Sequence, residues 1–251
     1  SGAELYMASN VPVGAGGASG IELKGNLSVE GALTYNEMYA NSTNRVLCLS
    51  GSDVQFIGGA GRLNINNLIL NKSTAYVQLE RNMDVDHRIS LLSGFILLNG
   101  HVLTMSDGAK DALIVDAGYL QAEDASFGSR FIRQISSDTD YVFPFGYQGE
   151  MLPMKVKGSG EGSVTCSTYG TANDNLPFSS WSYTVAQLPG GESVDMADNY
   201  VNRFWMTLYD PAVVSEIHLS ALGTEVPLGL ENWAAYCFDT IVDVWREADL
   251  Q

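Results

Sequence analysis

The chain has 251 residues, 45% of them apolar and 17% charged, with a formal net charge of −16. That charge, with only 13 Lys and Arg, excludes the phosphate contacts of a nucleic-acid binder and opposes docking on an anionic leaflet. The composition is globular rather than disordered, and no run of about 18 apolar residues reads as a membrane-spanning helix.

The first residues, SGAELYMASN, carry neither a basic n-region nor an apolar h-region. Such a start is expected of a cytosolic chain or of one whose signal peptide has been removed, and Ser1-Gly2-Ala3 fits the second. VGAGGASG (13–20) is glycine-rich, but it lacks the GxxxxGK[ST] frame and no helical pattern follows it. It reads as a turn, not a phosphate loop.

From there to about residue 123 the chain is rhythmic. GNLSV (25–29), GALTY (31–35), GRLNI (61–65), GFILL (94–98), GHVLT (100–104) and GYLQA (118–122) each open with a glycine, and an apolar residue follows at the second or third place. The block GNLSVEGALTY recurs as GFILLNGHVLT, 69 residues on (94 − 25). Between them, NINNLILNKS (64–73) and AYVQLERNMDV (75–85) supply further short strands. Short apolar strands cut by Gly, Asn and Asp predict a β-solenoid-like repeat region over 1–123, with Asn66 and Asn67 at left-handed turn positions or in an Asn stack. A plain antiparallel sandwich would give similar fragments; the recurrence favours the solenoid.

Residues 124–251 are not rhythmic. They hold all four tryptophans and six of the seven prolines. Strands are predicted at 151–157, 163–169, 201–209, 214–220, 233–238 and 241–246, the pattern of an antiparallel β-sandwich module. The fold class expected for the whole chain is therefore all-β, a β-solenoid-like repeat region followed by an antiparallel β-sandwich. DYVFPFGYQGEMLPMKV (140–156) reads as the joint between the two textures. Pro144 is expected at a strand end or edge, where its missing N–H disturbs least. YQGE is expected to turn the chain back into the strand holding Pro153, with Phe143, Phe145 and Met151 in the core.

Several of these segments together resemble a known class. They are the glycine-led repeats, INNLIL after FIGG (56–59), Phe143-Pro144-Phe145-Gly146, Leu152-Pro153-Met154-Lys155-Val156 and Arg203-Phe204-Trp205. The chain resembles the cell-surface and adhesin-like proteins of Bacteroidota that are exported by the type IX secretion route. The resemblance implies a secreted, extracellular or outer cell-surface structural protein, and it brings no catalytic residues. Asp239-Thr240-Ile241 matches the short O-glycosylation pattern of that phylum, with Thr240 as the acceptor; an ordinary strand segment is the simpler reading.

No catalytic set is legible. His87, His101 and His218 are dispersed, and no GxSxG is present. Asp84 and Asp86 beside His87, and Asp138 with Asp140, offer oxygen ligands of the kind Ca²⁺ takes, without an EF-hand or a nonapeptide repeat; charged turns explain them as well. No other cofactor is expected. Cys166 and Cys237 are either a pair or free buried thiols, and Cys48 stands apart. Tyr6, Tyr35, Tyr39, Trp181 and Tyr183 are weighed as a sugar-stacking platform against ordinary packing. The cations of the first half, among them Lys72 and Arg81, are dispersed, which counts against a face that grips acidic polysaccharide. The reading reached is a non-enzymatic adhesin-like protein or surface-filament subunit acting by self-association or surface contacts. Its rival is a carbohydrate-binding module or a polysaccharide-acting solenoid enzyme.

Overall fold

The structure is a computed structural model, and it describes residues 20–30, 32–34, 46–124, 126–136, 139–171, 201–226, 236–239 and 244–247. Among these there are eighteen β-strands and no α-helix, only 3₁₀ turns at Lys110–Ala112 and Gly223–Glu225. The chain forms two compact units, one of 1–167 with 206–219 and one of 168–205 with 220–251.

The first unit begins as a solenoid. Its strands are β1 (Gly20–Leu23), β2 (Leu27–Ser28), β3 (Ala32–Thr34), β4 (Val46–Gly51), β5 (Gln55–Gly58), β6 (Arg62–Leu79), β7 (Met83–Leu97), β8 (Val102–Met105), β9 (Leu113–Val115), β10 (Tyr119–Gln121) and β11 (Arg130–Ile135). They stack in parallel as three columns. Column A is β1, β4, the middle of β6, the middle of β7 and β9, in the register Leu47, Leu68, Ile89, Leu113. Column B is β2, β5, the ends of β6 and β7, and β10, with Val77, Ile96 and Leu120 in one row. Column C is β3, the starts of β6 and β7, β8 and β11, with Ile65, Val85, Met105 and Arg133 in one row.

Alternate residues of each strand point inward, and the apolar ones are sealed: Leu68, Ile89, Val77, Ile96, Leu120, Ile65, Val85 and Met105 are all fully buried. Each such side chain contributes about 1.5–3 kcal/mol of burial. Strands whose inward face is sealed in the interior of the solenoid need no helix to cover it.

The two blocks related by 69 residues do the same work in two coils. Each supplies a column B strand and then a column C strand. Asn66 and Asn67 differ from expectation. They lie inside β6, where the register against β7 shifts between Ile65 and Asn67, and neither has a positive φ. An irregularity in a continuous strand turns that corner, so no left-handed residue is needed. The glycine at 59 is required: its φ is +96°, and a Cβ there would meet the Val29 carbonyl oxygen at 2.3 Å.

Parallel pairing continues past residue 123, with Leu120 opposite Phe145 of β12 (Asp140–Tyr147). The direction then reverses. β13 (Glu150–Gly158) runs antiparallel to β12, β14 (Gly162–Gly170) antiparallel to β11, and β16 (Val214–His218) antiparallel to β13. β15 (Arg203–Leu208) neighbours β14. Phe131 and Phe143 meet edge to face at 5.7 Å, and Cys166 Sγ lies 3.3 Å from Met154 Sδ.

In the second unit, Arg203 forks onto Glu225. Nε donates to Oε2 at 2.7 Å and Nη2 to Oε1 at 2.5 Å, while Nη1 donates to Thr168 Oγ1 at 3.2 Å. β17 (Tyr236–Asp239) and β18 (Val244–Glu247) form an antiparallel pair. All six strands predicted after residue 150 are present.

Candidate functional site

The joint at 140–156 is a hairpin. Tyr147 faces Glu150 across a tight turn in which Gln148 and Gly149 both have positive φ, 52° and 86°. Two left-handed residues in a two-residue loop match the twist of the flanking strands. Pro144 is not at the strand end or edge expected from its missing N–H: it is buried in the middle of β12, which pairs with β10 and β13, directly opposite Pro153. Opposed residues in an antiparallel ladder alternate between pairs that exchange hydrogen bonds and pairs that do not. A proline facing a proline fits only the second kind, so two prolines tolerate each other where one amid ladder bonds would not.

Phe143 and Phe145 are fully buried, as expected. Met151 is not in the core: it is 39% exposed, because it pairs with Gly146 on the outward side of the hairpin. Gly146 is forced to be small, since a Cβ would sit 2.5 Å from the Tyr119 ring.

That ring ends an aromatic stack. Tyr76, Phe95 and Tyr119 occupy one outward row of column B, with centroids 5.0 and 5.1 Å apart and planes tilted by 14° and 8°. The inner ring faces cover one another, so the stack stiffens the column and leaves Phe95 no open face for a sugar ring. Tyr119 Oη accepts from the Gly149 N–H at 3.2 Å, and burial raises its pKa. The recurrence of one aromatic per coil at 76, 95 and 119 was the available signal, hidden by unequal coil lengths.

Sequence reasoning also missed how the cations are used. Lys72 is 1% exposed and donates to Ser50 O at 3.1 Å, Asp53 O at 2.5 Å and Gln55 Oε1 at 3.0 Å. Burial lowers its pKa, opposed by the Asp53 charge. Arg81 donates to the carbonyls of Val29, Gly59 and Gly61. Arg133, also 1% exposed, donates to Val142 O and Lys110 O at 2.9 Å and lies 4.8 Å over the Tyr141 ring. Burial holds its pKa down to about 10, against the pull of Tyr141 and Asp107. Lys72 and Arg81 fasten coil corners by their carbonyls, and Arg133 ties the 3₁₀ turn at Lys110 to β12.

The acidic candidates remain apart. Asp84 and Asp86 are half-buried on β7, and Asp140 is exposed on β12, opposite Lys157. His87 Nδ1 is 3.9 Å from Asp107 Oδ2. Among the described residues, no group of three His, Cys, Asp or Glu is placed to hold a metal. Asp138, Thr240 and the aromatics Tyr6, Tyr35, Tyr39, Trp181 and Tyr183 lie outside the described residues. Cys48 and Cys166 are free and buried, and burial raises both thiols. Trp205, beside Arg203, donates from Nε1 to Ser220 O at 3.2 Å.

What the described surface does offer is strand edges. At one end of the first unit, β1, β2 and β3 each pair with the next coil only; at the other, β9 pairs only with β7 and β16 only with β13. Near β15 and β16, Leu208 is 74% exposed, Leu219 47% and Tyr209 37%. A shallow groove of about 330 Å³ runs along Ser163, Thr165, Leu208, Tyr209 and Asp210. No helix among the described residues is long and apolar enough to cross a membrane. Comparison with protein families, curated proteins and solved structures found no match.

Proposed function

We propose that this chain is a structural, non-enzymatic protein of the cell surface or extracellular space, adhesin-like or a subunit of a surface filament, that acts through self-association. One observation carries the reading: a column of parallel strands that, among the described residues, presents unpaired strand edges at its ends. Such edges pair readily with another chain. The interior supports it, since the buried Lys72 and Arg133 are taken up by backbone carbonyls. The type IX route and the phylum rest on the resemblance alone, carried by the glycine-led repeats, INNLIL after FIGG, FPFG, LPMKV and RFW.

The rival is a glycan-binding module or a polysaccharide-acting solenoid. It calls for an open aromatic face or a carboxylate cluster. Electron microscopy of the purified protein, paired with a glycan array, separates the two. Fibres or ladders with no glycan signal are expected. A strict monomer that binds a glycan overturns the structural reading.

A further inference from the structure

The inference concerns the polarity of assembly and rests on the self-association just proposed. We propose that the outer edge of β16 receives the first coil of a second copy of this chain, head to tail, as one more parallel strand of column B.

β12 runs parallel to β10 and so keeps the sense of column B. β13 reverses it, and β16 reverses it again. Two reversals return the terminal edge to the sense of β12 and of the parallel strands of column B below it. At the other end of the same column stands β2, whose one strand partner among the described residues is β5, also parallel. The two ends therefore carry opposite edges of one strand type in one polarity. A strand offered by an identical copy meets β16 as β12 meets β10. Such a contact uses two different surfaces, so each added copy leaves an edge for the next.

The side chains agree. Lys155, Lys157 and His218 are exposed at the β16 end, and Glu216 there is already engaged by His218 Nε2 at 2.6 Å. Around the first coil, Glu22 and Glu30 are exposed, and Lys24 lies 3.5 Å from Glu22. With Asp140 exposed opposite Lys157, charges of both signs thus stand at each end, and neither end repels the other by a single sign of charge. Leu219, just past β16, is 47% exposed, an apolar residue for the arriving strand to cover.

The test uses the full chain and two blocking variants, Leu219→Lys at the β16 end and Ser28→Lys at the first coil. A lysine on an edge strand opposes pairing there. Circular dichroism and thermal melting check that each variant folds; should Leu219→Lys not fold, Ser215→Lys, at an exposed position within β16 itself, replaces it. Sedimentation velocity over a concentration series then reads association. Expected is growth beyond dimer for the unmodified chain and weakening by about tenfold or more for each variant alone. An equimolar mixture of the two variants should stop at a dimer, because one intact β16 edge meets one intact first coil. If the folded variants assemble like the unmodified chain, the polarity is wrong while self-association stands. If the unmodified chain stays monomeric throughout, both fail.

Discussion

Lysine and arginine are scarce in this acidic chain, and several are spent on backbone carbonyls at coil corners rather than on carboxylates. Lys72 has three acceptors for three N–H donors, a satisfied ammonium in a buried site. Lys72→Ala strips the donor from Ser50 O, Asp53 O and Gln55 Oε1 and is expected to lower stability by about 3 kcal/mol, read by denaturant unfolding. Asp124 plays the mirrored part. Burial works against its ionisation, but hydrogen bonds from Ser126 and Ser129 outweigh that and hold its pKa below the usual value. A lowered folded-state pKa stabilises above the unfolded-state pKa and loses that stabilisation as pH falls through the folded one. Asp124→Ala should therefore cost about 2 kcal/mol at neutral pH, and the gap to the unmodified chain should close in acid. A gap independent of pH would contradict this role. None of these roles was legible in the sequence. Lys72 and Arg81 read as scattered surface cations because long charged side chains are usually exposed, and nothing local says that a corner carbonyl lies within reach.

Strands were the most legible element. Glycine-led apolar fragments place them correctly, and YQGE predicts its own turn, because a Gly with a preceding polar residue suits two left-handed positions. What escaped was the partner of each strand. The coils are unequal in length, so Leu47, Leu68 and Ile89 keep a spacing of 21 residues (68 − 47 and 89 − 68) while the next step, to Leu113, does not. Met151 was misplaced for a related reason: alternation gives two faces, and only the register against Gly146 says which is inward. Gly146 and Tyr119 give a test at this scale. Gly146→Ala drives a methyl into the Tyr119 ring and is expected to lower the melting temperature by several degrees, about 1–3 kcal/mol. Tyr119→Ala in the same chain should return part of that loss. Additive losses would show that the ring is not the obstacle.

The whole molecule poses the problem of where a solenoid ends. A column of parallel strands has no natural last strand, and each added coil leaves another edge. In column B the chain adds two antiparallel strands, which cover β12 but leave β16 with one pairing partner among the described residues. The net charge of −16 gives every copy a repulsion that salt should screen, so association is expected to strengthen as ionic strength rises toward physiological values. Weaker association over that range would place charge pairing above apolar edge contact. Amide hydrogen exchange measured at low and high protein concentration tests the central claim most directly. Amides of Val214–His218 are expected to slow markedly at high concentration, while those of the column strands around Val77, Ile96 and Leu120 are protected at both. Exchange at Val214–His218 that does not change with concentration would contradict it.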